Sequence, residues 1–126
     1  MNELAEKISD AELEVMQVLW QSGEPIPIAR VRELLAQRRE WDGSTVKTLL
    51  RRLCEKGAVQ AEKREVFYYS PLISQQEYQN WSTNTLIDRV YQGSAKALAA
   101  FLVRGDQLTA DDLKQLWAML EEADHG

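Results

Sequence analysis

Two adjoining stretches decide the fold: Trp41-Asp42-Gly43-Ser44-Thr45-Val46-Lys47-Thr48-Leu49-Leu50-Arg51-Arg52-Leu53-Cys54-Glu55-Lys56-Gly57, and Val59-Gln60-Ala61-Glu62-Lys63-Arg64-Glu65-Val66-Phe67-Tyr68-Tyr69-Ser70-Pro71. Trp41 to Ser44 reads as a turn. Val46, Leu49, Leu50 and Leu53 then recur three, four and seven residues apart, which predicts an amphipathic helix over 44–56, stopped by Gly57. At about 3.6 residues per turn its opposite side carries Ser44, Thr48, Arg51 and Glu55, flanked by Thr45, Lys47 and Arg52. In the second stretch, 59–62 and 66–70 have strand composition and Lys63-Arg64-Glu65 makes a polar tip, so a two-stranded hairpin follows.

Upstream, Ser9-Asp10-Ala11-Glu12 has the spacing of a capping box, and Leu13, Met16, Leu19 and Trp20 continue it as a helix over about 10–22. Pro25 and Pro27 force an extended connector. Ile28, Val31, Leu34 and Leu35 predict a second helix, about 28–38. Downstream the pattern is helical throughout. Ser74 and Glu77 repeat the capping box ahead of a helix over about 75–91, a short helix occupies about 94–104, and Thr109 with Asp112 opens a last one. The expected domains are 1–72 and 73–126. The order helix, helix, helix, hairpin is a winged helix-turn-helix, so the fold is mainly α: three helices and a two-stranded wing, followed by a helical dimerisation region. The dimerisation stripe is Leu113, Leu116, Trp117 and Leu120.

Composition removes whole classes of function. Hydrophobic residues are 44% and charged residues 28% of the 126, an ordinary globular balance. No apolar run approaches the ~18 residues that span a bilayer, so no membrane insertion is expected. Met1 to Asp10 is rich in acids and reads as no export signal, which makes the cytoplasm the expected compartment. Cys54 is the one cysteine and His125 the one histidine. Together they cannot build a zinc site, a Cys-His dyad or a Ser-His-Asp triad, so neither an enzyme nor a cofactor site is expected. Cys54 reads as a structural thiol, with redox sensing the alternative.

Net charge is −5 but unevenly spread. Residues 38–64 hold Arg38, Arg39, Lys47, Arg51, Arg52, Lys56, Lys63 and Arg64 against Glu40, Asp42, Glu55 and Glu62, a local surplus of cations between acidic flanks. A basic block is the electrostatic mark of phosphate binding, although charge alone favours a solvated face and the local structure must decide. The hydroxyls and long cations on the third helix favour double-stranded DNA in the major groove. Ser44, Thr45, Lys47 and Thr48 lie at the deepest-entering end, Arg51 and Arg52 follow, and Lys63 and Arg64 of the wing tip reach a neighbouring phosphate. The helix dipole should favour phosphate at the same end. The other reading is a winged helix used for protein–protein contact without DNA, which the net acidity supports.

Several segments together resemble the BlaI/MecI/CopY family of bacterial repressors. Ile8-Ser9-Asp10-Ala11-Glu12-Leu13-Glu14-Val15-Met16 with Leu19-Trp20 looks like its first helix. Trp41 to Leu53 looks like its recognition helix, and Lys56-Gly57 with Phe67-Tyr68-Tyr69-Ser70 like its wing. The resemblance implies a homodimer on an inverted-repeat operator, with TACA/TGTA-like half-sites. Ser44, Thr45, Lys47 and Thr48 then match base-reading positions, and Arg51 a phosphate-contacting one. The copper-responsive branch carries paired cysteines at its C-terminus; the tail Glu121 to Gly126 has none, which speaks against metal sensing by that route. The antibiotic-responsive branch is cut between an Asn and a Phe, and a membrane sensor protease is the implied partner. The matching bond here is Ala100–Phe101, which keeps the Phe and replaces the Asn. Ala99 and Phe101 are expected to be buried.

Overall fold

The computed structural model describes residues 3–125; Met1, Asn2 and Gly126, and the side chains of Asp124 and His125, lie outside the described residues. The chain divides into two compact units, Met1–Ser82 and Thr83–Gly126.

In the first unit a short helix, α1 (Glu3–Glu6), precedes α2 (Asp10–Ser22). The Ser9–Glu12 capping box forms in both directions: Ser9 Oγ accepts from the Glu12 amide at 3.2 Å, and Glu12 Oε1 accepts from the Ser9 amide at 2.9 Å. The second helix of the sequence reading is α3 (Ile28–Ala36), and the third is α4 (Gly43–Lys56). Gly57 closes α4 in the left-handed region (φ 83°), donating its N–H to the carbonyls of Cys54 and Leu53. A side chain there would be strained, which is why the chain can turn straight into the wing.

The wing strands are β2 (Val59–Lys63) and β3 (Phe67–Pro71), paired antiparallel from Val59 opposite Pro71 to Lys63 opposite Phe67. The tip is therefore Arg64-Glu65-Val66, one residue beyond the expected Lys63-Arg64-Glu65, and the Arg64 N–H closes it on the Val66 carbonyl at 3.0 Å. The expected two-stranded hairpin is part of a three-stranded sheet. The Pro-rich connector contributes β1 (Ile26–Pro27), which pairs with β3 as Ile26 opposite Tyr69 and Pro27 opposite Tyr68, in the order β1-β3-β2. The extended backbone that proline imposes is the backbone a strand needs, and proline tolerates a strand at a sheet edge.

One core holds these elements together. Val15, Met16, Val18 and Leu19 of α2, Val31 and Leu35 of α3, and Val46, Leu49, Leu50 and Leu53 of α4 are buried with Ile26, Val59 and Ile73. The first turns of α5 (Gln75–Val90) join this unit, which moves its end ten residues past the expected boundary at 72. Tyr78 stacks between Trp20 and Trp81, with ring centroids 5.8 Å apart in both pairs. Trp20 Nε1 donates to the Ile73 carbonyl at 2.9 Å, fixing the chain as it leaves the wing. Trp20→Phe keeps an aromatic face toward Tyr78 but deletes that donor and half of the indole. The expected loss is about 1–2 kcal/mol of stability, from the hydrogen bond and the lost buried surface together, read as a lower urea midpoint at unchanged slope.

The second unit comprises the rest of α5, α6 (Ala95–Arg104) and α7 (Ala110–His125). Thr109 and Asp112 cap α7 reciprocally, Thr109 Oγ1 accepting from the Asp112 amide at 3.0 Å and Asp112 Oδ2 from the Thr109 amide at 2.9 Å. Among the described side chains of 83–123 none is buried. No helix among the described residues is long and apolar enough to cross a membrane.

Candidate nucleic-acid interface

Helix α4 owes its orientation to its buried stripe. Seating Val46, Leu49, Leu50 and Leu53 in the core turns Ser44, Lys47, Arg51 and Arg52 to solvent, with Thr45 and Thr48 half-buried beside them. The helix begins at Asp42, whose Oδ1 accepts from the Thr45 amide at 2.9 Å and from the Ser44 hydroxyl at 2.7 Å. These bonds hold the Asp42 carboxyl below its ordinary range, the Ser44 hydroxyl contributing most, so it is ionised at neutral pH. The first turn thus already carries an anion. The attraction for phosphate expected there from the helix dipole is spent on Asp42, and cationic side chains must supply it instead. Ser44 gives its proton to this cap and can act toward another molecule as an acceptor.

The basic block of the sequence separates into two groups. Arg38 donates to Gln17 at 3.2 Å and Gln21 at 2.8 Å, and Arg39 pairs with Glu14 at 3.1 Å. Lys56 pairs with Glu12 at 2.5 Å and donates to the Lys7 carbonyl at 2.8 Å. These three are fastened to the first part of the chain. Lys47, Arg51, Arg52 and Lys63 have no carboxylate partner among the described residues. Lys47, Thr48 and Arg51 border a groove whose other wall is the wing, through Ala61, Phe67 and Tyr69. Lys63 ends β2, exposed, and Arg64 lies in the turn beyond it. Arg64 is held in place: its guanidinium sits 4.5 Å over the Tyr68 ring and 3.6 Å from Glu62. The two tyrosines of β3 point to opposite faces, as neighbours on a strand do, Tyr69 packing on the core and Tyr68 carrying the tip arginine.

Two residues escaped the sequence reading. Arg32 of α3 reaches the start of α4, donating to the Gly43 carbonyl at 3.4 Å. Its guanidinium carbon lies 2.9 Å from where a side chain on Gly43 would begin, so the glycine permits the approach. Only its spacing from Gly43, across a turn, could have hinted at this. Glu12 is 1% exposed, a buried acid serving the cap of α2 and Lys56 of α4 at once. Burial pushes its carboxyl up, but hydrogen bonds from Lys56 and Ser9, aided by the Lys56 charge, hold it below its ordinary value of 4.5.

The residues proposed for dimerisation and cleavage lie in the second unit. Leu113, Leu116, Trp117 and Leu120 are all exposed on α7, Trp117 at 63%, and Met119 joins them. Trp117 Nε1 donates to Glu121 at 2.6 Å. Ala100 and Phe101 lie inside α6. The expected burial is not found in the single chain: Phe101 is 51% exposed and Ala99 is exposed, because the unit has no core of its own. The Ala100–Phe101 bond lies instead inside the regular helix α6, whose backbone is hydrogen-bonded along its length.

Cys54 is half-buried, and burial, with Glu55 nearby, pushes its thiol up. That is the opposite of the depressed thiol a redox sensor requires, and it favours the structural reading.

The penicillinase repressor family model matches residues 8–122. The penicillinase repressor of Bacillus licheniformis is 34% identical over 117 residues, which cover 92% of this chain and 91% of that protein. Two solution structures match part of the chain. The DNA-binding domain of the repressor BlaI is 39% identical with a TM-score of 0.53, covering 62% of this chain and 94% of that one. The Bacillus licheniformis BlaI monomeric form in complex with the blaP half-operator is 41% identical with a TM-score of 0.51, covering 57% and 88%. With a family match that spans both units and a winged helix shared with BlaI, the chain belongs to the penicillinase repressor family, whose members are transcriptional repressors rather than enzymes.

Proposed function

We propose that this chain is a cytoplasmic, sequence-specific DNA-binding repressor that acts as a homodimer on an inverted-repeat operator. The observation that carries the reading is the set Lys47, Arg51, Arg52 and Lys63, which have no carboxylate partner among the described residues and are presented by α4 and the wing while the neighbouring cations are tied internally. In this reading Ser44, Thr45, Lys47 and Thr48 meet base edges, and Arg51, Arg52, Lys63 and Arg64 meet phosphates, with Arg32 beside them. A relative solved on a half-operator supports it. Homodimerisation is supported by the uncovered stripe of α7, and places half-sites about 34 Å apart or a multiple of that.

The test separates readers of sequence from anchors. Thr48→Ala is expected to relax preference at one base position, by roughly 1–3 kcal/mol of discrimination. Arg51→Ala should weaken binding to all sequences alike and flatten the salt slope by about one unit. Operator titrations at several salt concentrations check both, and wild-type affinity in Arg51→Ala would count against α4 as the reader. Net acidity favours one rival, a winged helix that contacts only protein. A chain with no salt-dependent affinity for duplex DNA would establish that rival.

Release from DNA is proposed to follow a cut at Ala100–Phe101 by a membrane sensor protease. The cut would detach α7 and its apolar stripe. Because the bond lies within a helix, α6 must open locally before a protease can use it. Induced cells should then contain a fragment ending at Ala100; derepression with the chain at full length excludes this route.

A further inference from the structure

The groove between α4 and the wing has chemistry that DNA binding does not use. Lys47, Arg51 and Cys54 stand at successive turns on one side of α4. Phe67 and Tyr69 stand two apart on β3 and so share one face of the sheet, and Ala61 faces Tyr69 across the strand pair. Because Ala61 is small, space remains between the helix and the sheet: a cavity of about 590 Å³, within the usual range for small-molecule sites. Its wall is apolar. Phe67 is 47% exposed, a large aromatic surface left uncovered. Lys47 and Arg51, two cations without carboxylate partners among the described residues, border that wall. The Tyr69 hydroxyl has no hydrogen-bond partner among the described residues, and burial keeps both it and the Cys54 thiol protonated at neutral pH.

Operator DNA would use the two cations, Lys47 at a base edge and Arg51 at a phosphate, and leave the aromatic wall wet. An apolar molecule would cover the wall and leave the cations idle. A flat molecule with an aromatic body and one carboxylate satisfies both, its ring on Phe67 and Tyr69, its charge on Lys47 and Arg51, and the Tyr69 hydroxyl donating to an oxygen. We propose that this groove is a binding site for a small planar aromatic carboxylate, and that its occupant and the operator exclude one another because both need Lys47 and Arg51. The exclusion rests on the DNA reading given above; binding in the groove does not.

The test uses the full chain and 2-naphthoate as probe, with 2-naphthalenemethanol as its uncharged counterpart. Calorimetry without DNA should find one site per chain for naphthoate, with the alcohol weaker by tenfold or more. Amide resonances of Cys54, Phe67 and Tyr69 should move. Tyr69→Phe, which keeps the ring and the fold, should weaken naphthoate about fivefold while operator affinity stays at the wild-type value. With naphthoate at ten times its Kd, the operator Kd should rise about elevenfold. Absence of binding, equal binding of the alcohol, or resonance shifts elsewhere in the chain overturns the site. Naphthoate bound in the groove with operator affinity unchanged overturns the exclusion. A chain that fails to bind operator without the probe overturns the DNA reading instead, and leaves the groove judged by calorimetry alone.

Discussion

A chain carrying Leu116→Asp or Trp117→Asp should sediment as a monomer and bind the full operator about 10²- to 10⁴-fold more weakly than wild type. The size of the effect follows from tethering. Once one recognition helix is seated, a dimer presents the second at high effective concentration, and a monomer loses that advantage without any change in the helix itself. The choice of residues follows from exposure. Leu116 and Trp117 are 47% and 63% exposed in a unit whose described side chains include none that are buried. An Asp at either position would be harmless in a monomer and would place an uncompensated charge in an interface. The first unit should keep its melting midpoint, because its core closes by residue 82. Sedimentation that finds an undiminished dimer for both variants removes α7 from the interface.

The second large effect is expected at Glu12. Glu12→Ala should destabilise the first unit by about 3 kcal/mol, far above a surface substitution, because it strips a buried acid from a paired lysine and deletes half of a helix cap. Lys56 is itself 30% exposed, which keeps the cost at the lower end for a broken buried pair. The carboxyl is held below its ordinary value of 4.5, so its contribution is fully present above that pH and is lost as pH falls through the lowered value. Wild type should therefore lose stability steeply on acidification below about 4.5, and Glu12→Gln should start lower and fall less steeply over the same range. Denaturant melts between pH 3 and 7 measure both limbs; parallel curves for the two proteins would mean that Glu12 is not the titrating group.

What could be read from the chain, and what could not, divides by the range of the interaction. The apolar stripe of α4, the Gly57 stop and the Ser9–Glu12 and Thr109–Asp112 caps are local, so their residues announce them. The strand β1 is two residues long and exists only because Tyr68 and Tyr69 lie opposite it, so proline spacing could reveal an extended backbone but not a partner. The packing that carries the first unit past residue 72 is hidden for a similar reason. Tyr78 and Trp81 look like any apolar positions on a helix, and nothing local says that Trp20 is what they cover. The basic block was legible as a block. That Arg38, Arg39 and Lys56 are fastened to Gln17, Gln21, Glu14 and Glu12 depends on contacts across 17 to 44 residues. Phe101 was expected to be buried because a helical Phe usually is; that rule assumes a core within the same chain, and this unit has none.

The placement of β1 has one more consequence, for how the protein behaves when it is crowded or partly unfolded. A small sheet with a bare rim invites a strand from a neighbouring molecule, which is how many β structures begin to aggregate. Here one rim is β1, only two residues long and ending in Pro27, which has no N–H to offer. The other is β2, where Gln60, Glu62 and Lys63 are exposed and an incoming strand would meet charge. Strand β3 lies between them, with its two tyrosines covered by β1 on one side and by β2 on the other. A variant that stays monomeric should therefore be soluble rather than a fibre seed, and should stay clear of thioflavin-positive aggregates when concentrated.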